Sequence, residues 1–382
     1  MIASRRTNDR TGMSMAEVLV ALFLLALGTI AILTMFPLGM YKMGQALKDD
    51  RTSQSAQQAD AFMRMYWRTH VVENQFASVT GSALYEPMVP AFDFPDSQPG
   101  LPAATPLAIG NAPAGRLPNI TGVNGPSYPV FVDPMGYFPH WNTLNASTYQ
   151  MQYWVGRNAV GPTELSGVYP RRSLNMLLTQ LPGASHRACS LMDGFGFAEN
   201  GTPSGSAPGI VDRELRYNWM WILQRPDNSV PNTANMTVVV FDKRAFQYAP
   251  QKAEEVFSSG ATPADTIWMH PLFTTIQIPV SRGVPAVQKG GWIMDATYIP
   301  AGATAPFGMR HAIFYRVVSV TDNPNNTMIA NGVPTVVPTT DIELQTPIRR
   351  LDGGTGPYAG TLIHFAGVSE VFERPNLTPY DW

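Results

Sequence analysis

The chain has 382 residues, of which 45% are hydrophobic and only 14% are charged, and its net charge is −2. Typical soluble domains carry roughly 25% charged residues, so this composition excludes disorder driven by charge. The nearly neutral balance excludes binding to nucleic acid through bulk positive charge. The 34 prolines and 32 glycines favour a loop-rich β protein over a helical bundle. A single cysteine, Cys189, excludes an internal disulfide framework and a multi-cysteine metal centre.

An uncharged apolar segment lies near the N-terminus, at residues 18–36, and reads VLVALFLLALGTIAILTMF. A helix of this length spans about 28 Å, close to the roughly 30 Å of a bilayer's hydrocarbon core. The preceding leader carries Arg5, Arg6 and Arg10 against Asp9. The positive-inside rule then predicts a single-pass membrane protein with a cytoplasmic leader and the bulk of the chain outside the cytoplasm.

Three kinds of segment fit this position: a cleaved secretory signal, a plain signal anchor or a prepilin-type leader. An ordinary signal has an apolar core of roughly 7–15 residues and a small-residue cleavage site. The run here is longer and leads into Pro37 without an A-x-A pattern. The pair Arg5-Arg6 is also found in twin-arginine signals, but the polar Asn8 and Asp9 that follow argue against that route.

The residues Gly12-Met13-Ser14-Met15-Ala16-Glu17 stand directly before the apolar run. They resemble the cleavage and methylation site of type IV pilins and type II secretion pseudopilins. That family has a basic leader ending in glycine, a hydrophobic first mature residue and a glutamate at the fifth mature position. The string AEVLVALFLLALGTIAI is most similar to the PilV and GspI branch. The resemblance implies cleavage after Gly12 by a prepilin peptidase and methylation of the new amine of Met13.

Glu17 is the one carboxylate at the edge of the apolar run. A charge at the centre of a membrane helix costs about 2.5–3.5 kcal/mol, so its presence here needs a reason. Met13 and Glu17 are four residues apart and share one face of the first helical turn. In the family's filaments the carboxylate is thought to pair with the amine of a neighbouring subunit. The alternative is a glutamate favoured by the helix dipole and solvated by headgroups.

The sequence also departs from the family pattern. Pro37 would be mature position 25, whereas the family often has a kinking proline near position 22. Many pilins close a C-terminal loop with two cysteines, which Cys189 alone cannot do. Removal of the first 12 of 382 residues would leave 370, far more than a major pilin has, and this size favours a minor or tip-proximal subunit.

Behind the membrane segment, apolar residues recur at spacings of three and four, which is typical of an amphipathic helix. The pattern predicts one helix from about Ser14 to His70, about 80 Å long; a short stalk helix is the alternative. We therefore divide the chain into a leader (1–12), the helix (13–70, transmembrane about 18–36 and amphipathic about 37–70), an irregular Pro/Gly-rich part of a head (71–216) and a β-rich head (217–382).

The predicted fold class is α+β, with a long N-terminal helix followed by a loop-rich, mainly antiparallel β head. The density of proline and glycine at residues 81–139 predicts an irregular segment, and leucine spacing at residues 171–181 predicts a short helix. Runs of β-branched and aromatic residues predict strands whose order the sequence leaves open. They are residues 218–223, 237–242, 275–280, 291–296, 312–320, 341–344, 361–365 and 370–372.

The sequence contains no motif that would make the chain an enzyme or give it a cofactor. The six histidines are scattered without metal-ligand spacing, and no G-x-S-x-G nucleophile elbow or phosphate loop is present. Residues 321–327 offer side-chain oxygens for calcium, but a single carboxylate favours a hairpin turn. Cys189 fits a buried residue better than a reactive thiol, and Trp219 and Trp221 fit a core better than a sugar platform.

The sequence thus predicts a structural subunit, a minor pilin or pseudopilin of a type IV pilus or a type II secretion system. Its expected partners are prepilin peptidase, other pilins or pseudopilins, an assembly platform and ATPase, and the inner membrane, with no nucleic acid. The alternative is a membrane-anchored extracytoplasmic binding domain that does not polymerise.

Overall fold

The computed structural model describes two compact units, Met1–Arg51 and Thr52–Trp382. The residues that it describes are 14–72, 92–93, 129–133, 154–155, 169–174, 189–191, 216–224, 233–244, 254–260, 262–299, 309–330, 333–351 and 353–378.

The long N-terminal helix is present as α1, Met15–Trp67, and a π-helical turn, Arg68–Val72, follows it. Its bounds confirm the predicted helix from about Ser14 to His70. The helix continues through Pro37, although proline cannot donate a hydrogen bond to the carbonyl four residues earlier.

The rest of the described chain is built from strands and two 3₁₀ turns, Pro263–Asp265 and Val280–Arg282. The strands in chain order are β1 (Phe92–Asp93), β2 (Val130–Val132), β3 (Trp154–Val155), β4 (Tyr169–Leu174), β5 (Tyr217–Gln224), β6 (Ala234–Asp242), β7 (Glu254–Ser258), β8 (Trp268–Met269), β9 (Thr275–Pro279), β10 (Trp292–Asp295), β11 (Tyr298–Ile299), β12 (Met309–Arg310), β13 (Ile313–Asn323), β14 (Thr327–Ala330), β15 (Val333–Val336), β16 (Thr339–Leu344), β17 (Tyr358–Ala359), β18 (Thr361–Phe365) and β19 (Val368–Leu377).

The strands form two large sheets. The first has the order β1-β4-β2-β5-β6-β19, with β3 pairing with β4, and the second has the order β17-β8-β9-β16-β13-β10-β18-β7. The pairs β11–β12 and β14–β15 form small ribbons. Among the described pairs only β2–β4 is parallel. The helix-plus-antiparallel-sheet class is therefore confirmed, each of the eight predicted strands overlaps an observed one, and the strand order is now known.

Two local predictions are wrong. Residues 171–174, predicted to begin a helix, belong to strand β4, which pairs with β1, β2 and β3; the remainder of that prediction lies outside the described residues. Strands β1 and β2 fall inside the segment 81–139, where the proline density predicted no regular element. In both places backbone hydrogen bonds to strands distant in sequence overrode the local signal, because such pairing is decided by tertiary context.

The end of α1 packs against one face of the first sheet. Its buried residues Ala56, Ala59, Met63, Tyr66 and Trp67 share a hydrophobic cluster with side chains of β2, β5, β6 and β19. The indole Nε1 of Trp221 on β5 donates to the carbonyl of Ala59 at 3.0 Å. The helix contributes two small residues and three large ones, so that the helix backbone approaches the sheet closely at one end of this face.

The other face of the first sheet packs against the second sheet. Met220, Ile222, Val239 and Phe241 of the first sheet share a cluster with Met294, Ala296, Ile363 and Phe365 of the second. Strand β5 is consequently covered on both faces, and its first seven residues are all buried. Strands buried on both faces read as continuous apolar runs rather than alternating ones, which explains why NWMWIL shows no period of two.

Two features join the sheets. Strand β18 of the second sheet leads into β19 of the first through Ala366-Gly367, and Gly367 adopts a φ of 83°, a left-handed conformation that favours glycine. Arg244, after β6, makes a bidentate salt bridge to Asp133, after β2, at 2.8 and 2.6 Å. The same guanidinium lies 3.6 Å from Glu254 of β7 in the second sheet.

Candidate membrane-anchoring and assembly segment

The first turn of α1 is closed by a reciprocal pair of hydrogen bonds between Ser14 and Glu17. The Ser14 N–H donates to Glu17 Oε2 at 2.9 Å, and the Glu17 N–H donates to Ser14 Oγ at 3.2 Å. This arrangement is a capping box, which satisfies donors that the helix start leaves without partners. Of the predicted site residues, Glu17 therefore lies exposed at the helix start, whereas Gly12 and Met13 lie outside the described residues.

The capping box gives Glu17 a role within its own chain, and it agrees with the interpretation of this carboxylate as a favourable group at the positive end of the helix dipole. It also shows that the carboxylate is held close to the first turn. Sequence inspection missed the cap, although the S-x-x-E spacing that signals it was visible in Ser14-Met15-Ala16-Glu17.

The apolar part of α1 is exposed around its whole circumference. Phe23 is 64% exposed, Leu33 is 69% exposed, and the apolar side chains between Val18 and Phe36 whose burial is described are exposed on every face. A helix that is hydrophobic all round belongs in a protein core or in a membrane. This helix is long and apolar enough to cross a membrane, and none of its most apolar stretch is buried within the chain. It can therefore serve as a membrane anchor or as a signal.

The polar side chains within this stretch are Thr29 and Thr34. The hydroxyl of Thr29 donates to the carbonyl of Ala26 at 2.9 Å. Such a bond to the preceding turn removes the need for a water partner. The segment thus presents hydrocarbon to its surroundings without an unsatisfied hydroxyl at Thr29.

A second polar cluster lies in the middle of the head, around the fully buried Asp295. His311 Nδ1 lies 2.6 Å from Asp295 Oδ2, and the hydroxyl of Tyr358 donates to the same oxygen at 2.9 Å. The backbone N–H and the hydroxyl of Thr297 both donate to Asp295 Oδ1. Burial raises the pKa of Tyr358 far above its usual range, and the charge of Asp295 raises it further.

The pairing of an aspartate with a histidine resembles half of a catalytic triad, but the hydrogen bonds give it a different role. The N–H of Leu351 donates to His311 Nε2 at 3.3 Å, so this nitrogen is an acceptor and the ring proton lies on Nδ1, toward Asp295. A triad histidine instead turns Nε2 toward a nucleophile. Because Nε2 accepts from Leu351 and Nδ1 faces Asp295, both ring nitrogens have partners within the head, and the pair connects β10 to the segments around it.

The other candidate groups also have structural partners. Residues 324–325 form a turn between β13 and β14 at the candidate calcium loop. The turn does not close a hairpin as predicted, because β13 pairs with β10 and β16 whereas β14 pairs with β15. Its Asn323 donates to Asp341 at 3.1 Å and its Asn326 to Thr339 at 3.2 Å. Within the part of the chain that the structure describes, no three His, Cys, Asp or Glu side chains are grouped so that they could hold a metal ion.

Cys189 is fully buried, as predicted, and burial raises the pKa of its thiol far above the usual range. The charge of Asp133 raises that pKa further. Because the thiolate is the reactive form, this cysteine is an inert core residue. Trp219 and Trp221 are likewise buried in the cluster beneath α1, which confirms them as core residues.

Comparison of the chain with models of protein families, with curated proteins and with solved structures gives no match.

Proposed function

We propose that the chain is a structural subunit, a minor pilin or pseudopilin of a type IV pilus or type II secretion system, that is assembled through its N-terminal helix. One observation carries the proposal: the motif Gly12-Met13 with Glu17 stands directly before the apolar stretch of α1, whose side chains are exposed on all sides. A filament core made of such helices would bury the exposed surface, as would the membrane before assembly.

In this proposal the chain enters the inner membrane with its leader in the cytoplasm and its head outside. The three arginines of the leader support that orientation. Prepilin peptidase cleaves after Gly12, and the amine of Met13 is then methylated. The partners are other pilins or pseudopilins, together with an assembly platform and an ATPase that supplies the work.

Glu17 has two partners in succession. Before assembly its carboxylate accepts the N–H of Ser14, at 2.9 Å. During assembly it exchanges this neutral donor for the amine of a neighbouring subunit, which neutralises both charges in apolar surroundings. A charge-assisted hydrogen bond is roughly twice as strong as a neutral one, and in a low-dielectric setting this difference favours the exchange.

The processing step is tested by mass spectrometry of the full-length protein after expression with a prepilin peptidase. We expect a mature N-terminus at Met13, carrying one methyl group. An intact leader, or cleavage beyond Phe36 as in a secretory signal, would contradict the proposal. Correct processing without recovery in filaments would support the alternative, an anchored extracytoplasmic domain that does not polymerise.

The role of Glu17 is tested with a matched pair of variants. Glu17→Gln preserves a side chain that can complete the capping box but removes the charge, whereas Ser14→Ala weakens the cap and keeps the charge. We expect Glu17→Gln to be cleaved normally but incorporated into filaments at least about tenfold less than the wild type. This factor corresponds to the loss of one charged hydrogen bond. Wild-type incorporation of Glu17→Gln together with reduced incorporation of Ser14→Ala would show that Glu17 acts only as a cap.

A further inference from the structure

A cleft of about 630 Å³ opens on the head between the two sheets. One side is formed by β6 and the edge strand β19 of the first sheet, and the other by β10, the start of β13 and the segment after β16. Sites for small ligands typically have volumes of roughly 300–1,000 Å³. The cleft is therefore large enough for a ligand of a few rings. The buried Met236 and Tyr315 form part of its wall, and none of its lining residues belongs to α1.

The charges that line the cleft are mainly positive. Its lining includes three arginines, Arg316, Arg349 and Arg374, and only one carboxylate, Glu373. Arg316 is paired with Glu370 at 3.7 Å. The guanidinium groups of Arg349 and Arg374 have no ion pair with any described residue, which leaves an excess of positive charge in a chain whose net charge is −2. Two unpaired guanidinium groups in one concavity favour a ligand that carries carboxylates.

Two of the lining side chains also carry N–H donors without acceptors. Trp292 Nε1 and Arg374 Nε are buried and form no hydrogen bond. A buried donor left without a partner costs about 1–3 kcal/mol, so native proteins seldom keep one without a reason. A ligand oxygen in the cleft would supply the missing acceptor.

The neutral groups of the cleft point to the class of ligand. Asn235, Gln345 and Asn376 bring carboxamides, which donate and accept hydrogen bonds at the same time, and the half-buried Trp292 brings an aromatic ring. Carboxamides match the hydroxyl groups of a sugar, and aromatic rings match its apolar face. We propose that this cleft binds an acidic oligosaccharide, with its carboxylates at Arg349 and Arg374.

An extended acidic peptide fits less well. Such a peptide would add a strand to the edge of the first sheet at β19. Pro375 within β19 has no N–H to donate, and its carbonyl already accepts a hydrogen bond from Arg64 at 2.8 Å. The edge is blocked where the cleft is lined by Arg374 and Asn376. The oligosaccharide proposal does not depend on filament assembly, and either proposal can fail without the other.

The test is calorimetric titration of the full-length protein in detergent micelles with trigalacturonic acid. We expect saturable binding that weakens as sodium chloride is raised, because exposed charge pairs are screened. The neutral trisaccharide maltotriose should bind at least about tenfold more weakly, since the charged hydrogen bonds are absent. Absence of trigalacturonate binding, equal binding of maltotriose, or tighter binding of triglutamate would each overturn the proposal.

Variants locate the site. Arg349→Gln and Arg374→Gln should each weaken trigalacturonate binding about tenfold or more, whereas Lys289→Gln, which removes an exposed charge outside the cleft, should leave it unchanged. Trp292→Phe keeps an aromatic ring, removes the unpaired N–H and should weaken binding a few-fold. Because Arg349 is exposed, its substitution should not affect folding. Unchanged affinity in Arg349→Gln at an unchanged melting temperature would overturn the assignment.

Discussion

The two ends of helix α1 place large apolar side chains in opposite surroundings. In the unit that ends at Arg51, Phe23 and Leu33 are 64% and 69% exposed, whereas in the unit that begins at Thr52, Met63 and Trp67 are 0% and 1% exposed. The first part is apolar on all faces, and the second is apolar on the face that the sheet covers. One continuous helix therefore has one part whose apolar side chains the protein itself buries and another part whose apolar side chains stay exposed.

The difference shows that helix propensity and burial are separate properties of this chain. Both parts are helical, but only the part after Arg51 gains packing energy within the protein, at roughly 1.5–3 kcal/mol for each large side chain that it buries. The apolar side chains described before Arg51 gain no such burial within the protein. All eight tryptophans lie after Arg51, so tryptophan fluorescence reports on the folding of the head alone.

The largest effect is expected for a pair of methionine substitutions, one in the buried part of α1 and one in its exposed part. Met63→Ala removes a fully buried side chain and should lower the free energy of unfolding of the head by about 2–5 kcal/mol. Met35→Ala, at a position 73% exposed, should change it by less than about 0.5 kcal/mol. Denaturant unfolding followed by tryptophan fluorescence in micelles measures both. A similar loss in the two variants would mean that the apolar segment is packed on the head.

A charge placed in the apolar segment tests the other side of the comparison. Leu24→Arg should cost about 2.5–3.5 kcal/mol of membrane insertion and shift much of the protein into the soluble fraction. Gln57→Arg, on an exposed position of the same helix, should remain in the membrane fraction. Alkaline carbonate extraction followed by immunoblotting measures the distribution. Full retention of Leu24→Arg in the membrane would argue against this segment as the anchor.

The smallest effect concerns pH and the polar interior of the head. Burial raises the pKa of Tyr315 to about 12 and raises that of Tyr358 beyond this, while tyrosines in the unfolded chain titrate near pH 10. The contribution of these hydroxyls to stability is therefore fully present below pH 10 and is lost as the pH rises from about 10 through the folded-state values.

The corresponding variant is Tyr358→Phe. It removes one hydrogen bond to the buried Asp295, and it should lower the free energy of unfolding by about 1–3 kcal/mol at pH 7 and flatten the decline above pH 10. Tyr41→Phe, at an exposed position of α1, should leave both the stability of the head and its pH profile unchanged. Parallel pH profiles for wild type and Tyr358→Phe would show that this tyrosine does not control the alkaline transition.

Sequence reasoning predicted the elements with strong local signals and failed where pairing between distant segments decides. The helix was read from an unbroken apolar run and its amphipathic continuation, and the eight predicted strands from their β-branched and aromatic residues. The helix expected from residue 171 is instead strand β4, because partners such as β1 and β2 complete its hydrogen bonds. Nothing in its local spacing carries that information.

The polar interior and the cleft were invisible in the sequence for the same reason. His311 was one of six scattered histidines, and only the pairing of β10 with β13 brings it to Asp295. Arg349 and Arg374 gave no motif; the cleft that they line exists because β19 returns to the first sheet while residues 345–351 follow the second.

The sequence by itself determined that three arginines precede a Gly12-Met13-Glu17 motif and an apolar helix, since these depend on composition and on residues that are neighbours along the chain. Tertiary structure alone decided which residues of that helix are buried, which strands are neighbours, and where charges are left unpaired. The physical reason is range: hydropathy and helix periodicity are local, whereas burial and hydrogen-bond partners depend on segments that meet only in the folded protein.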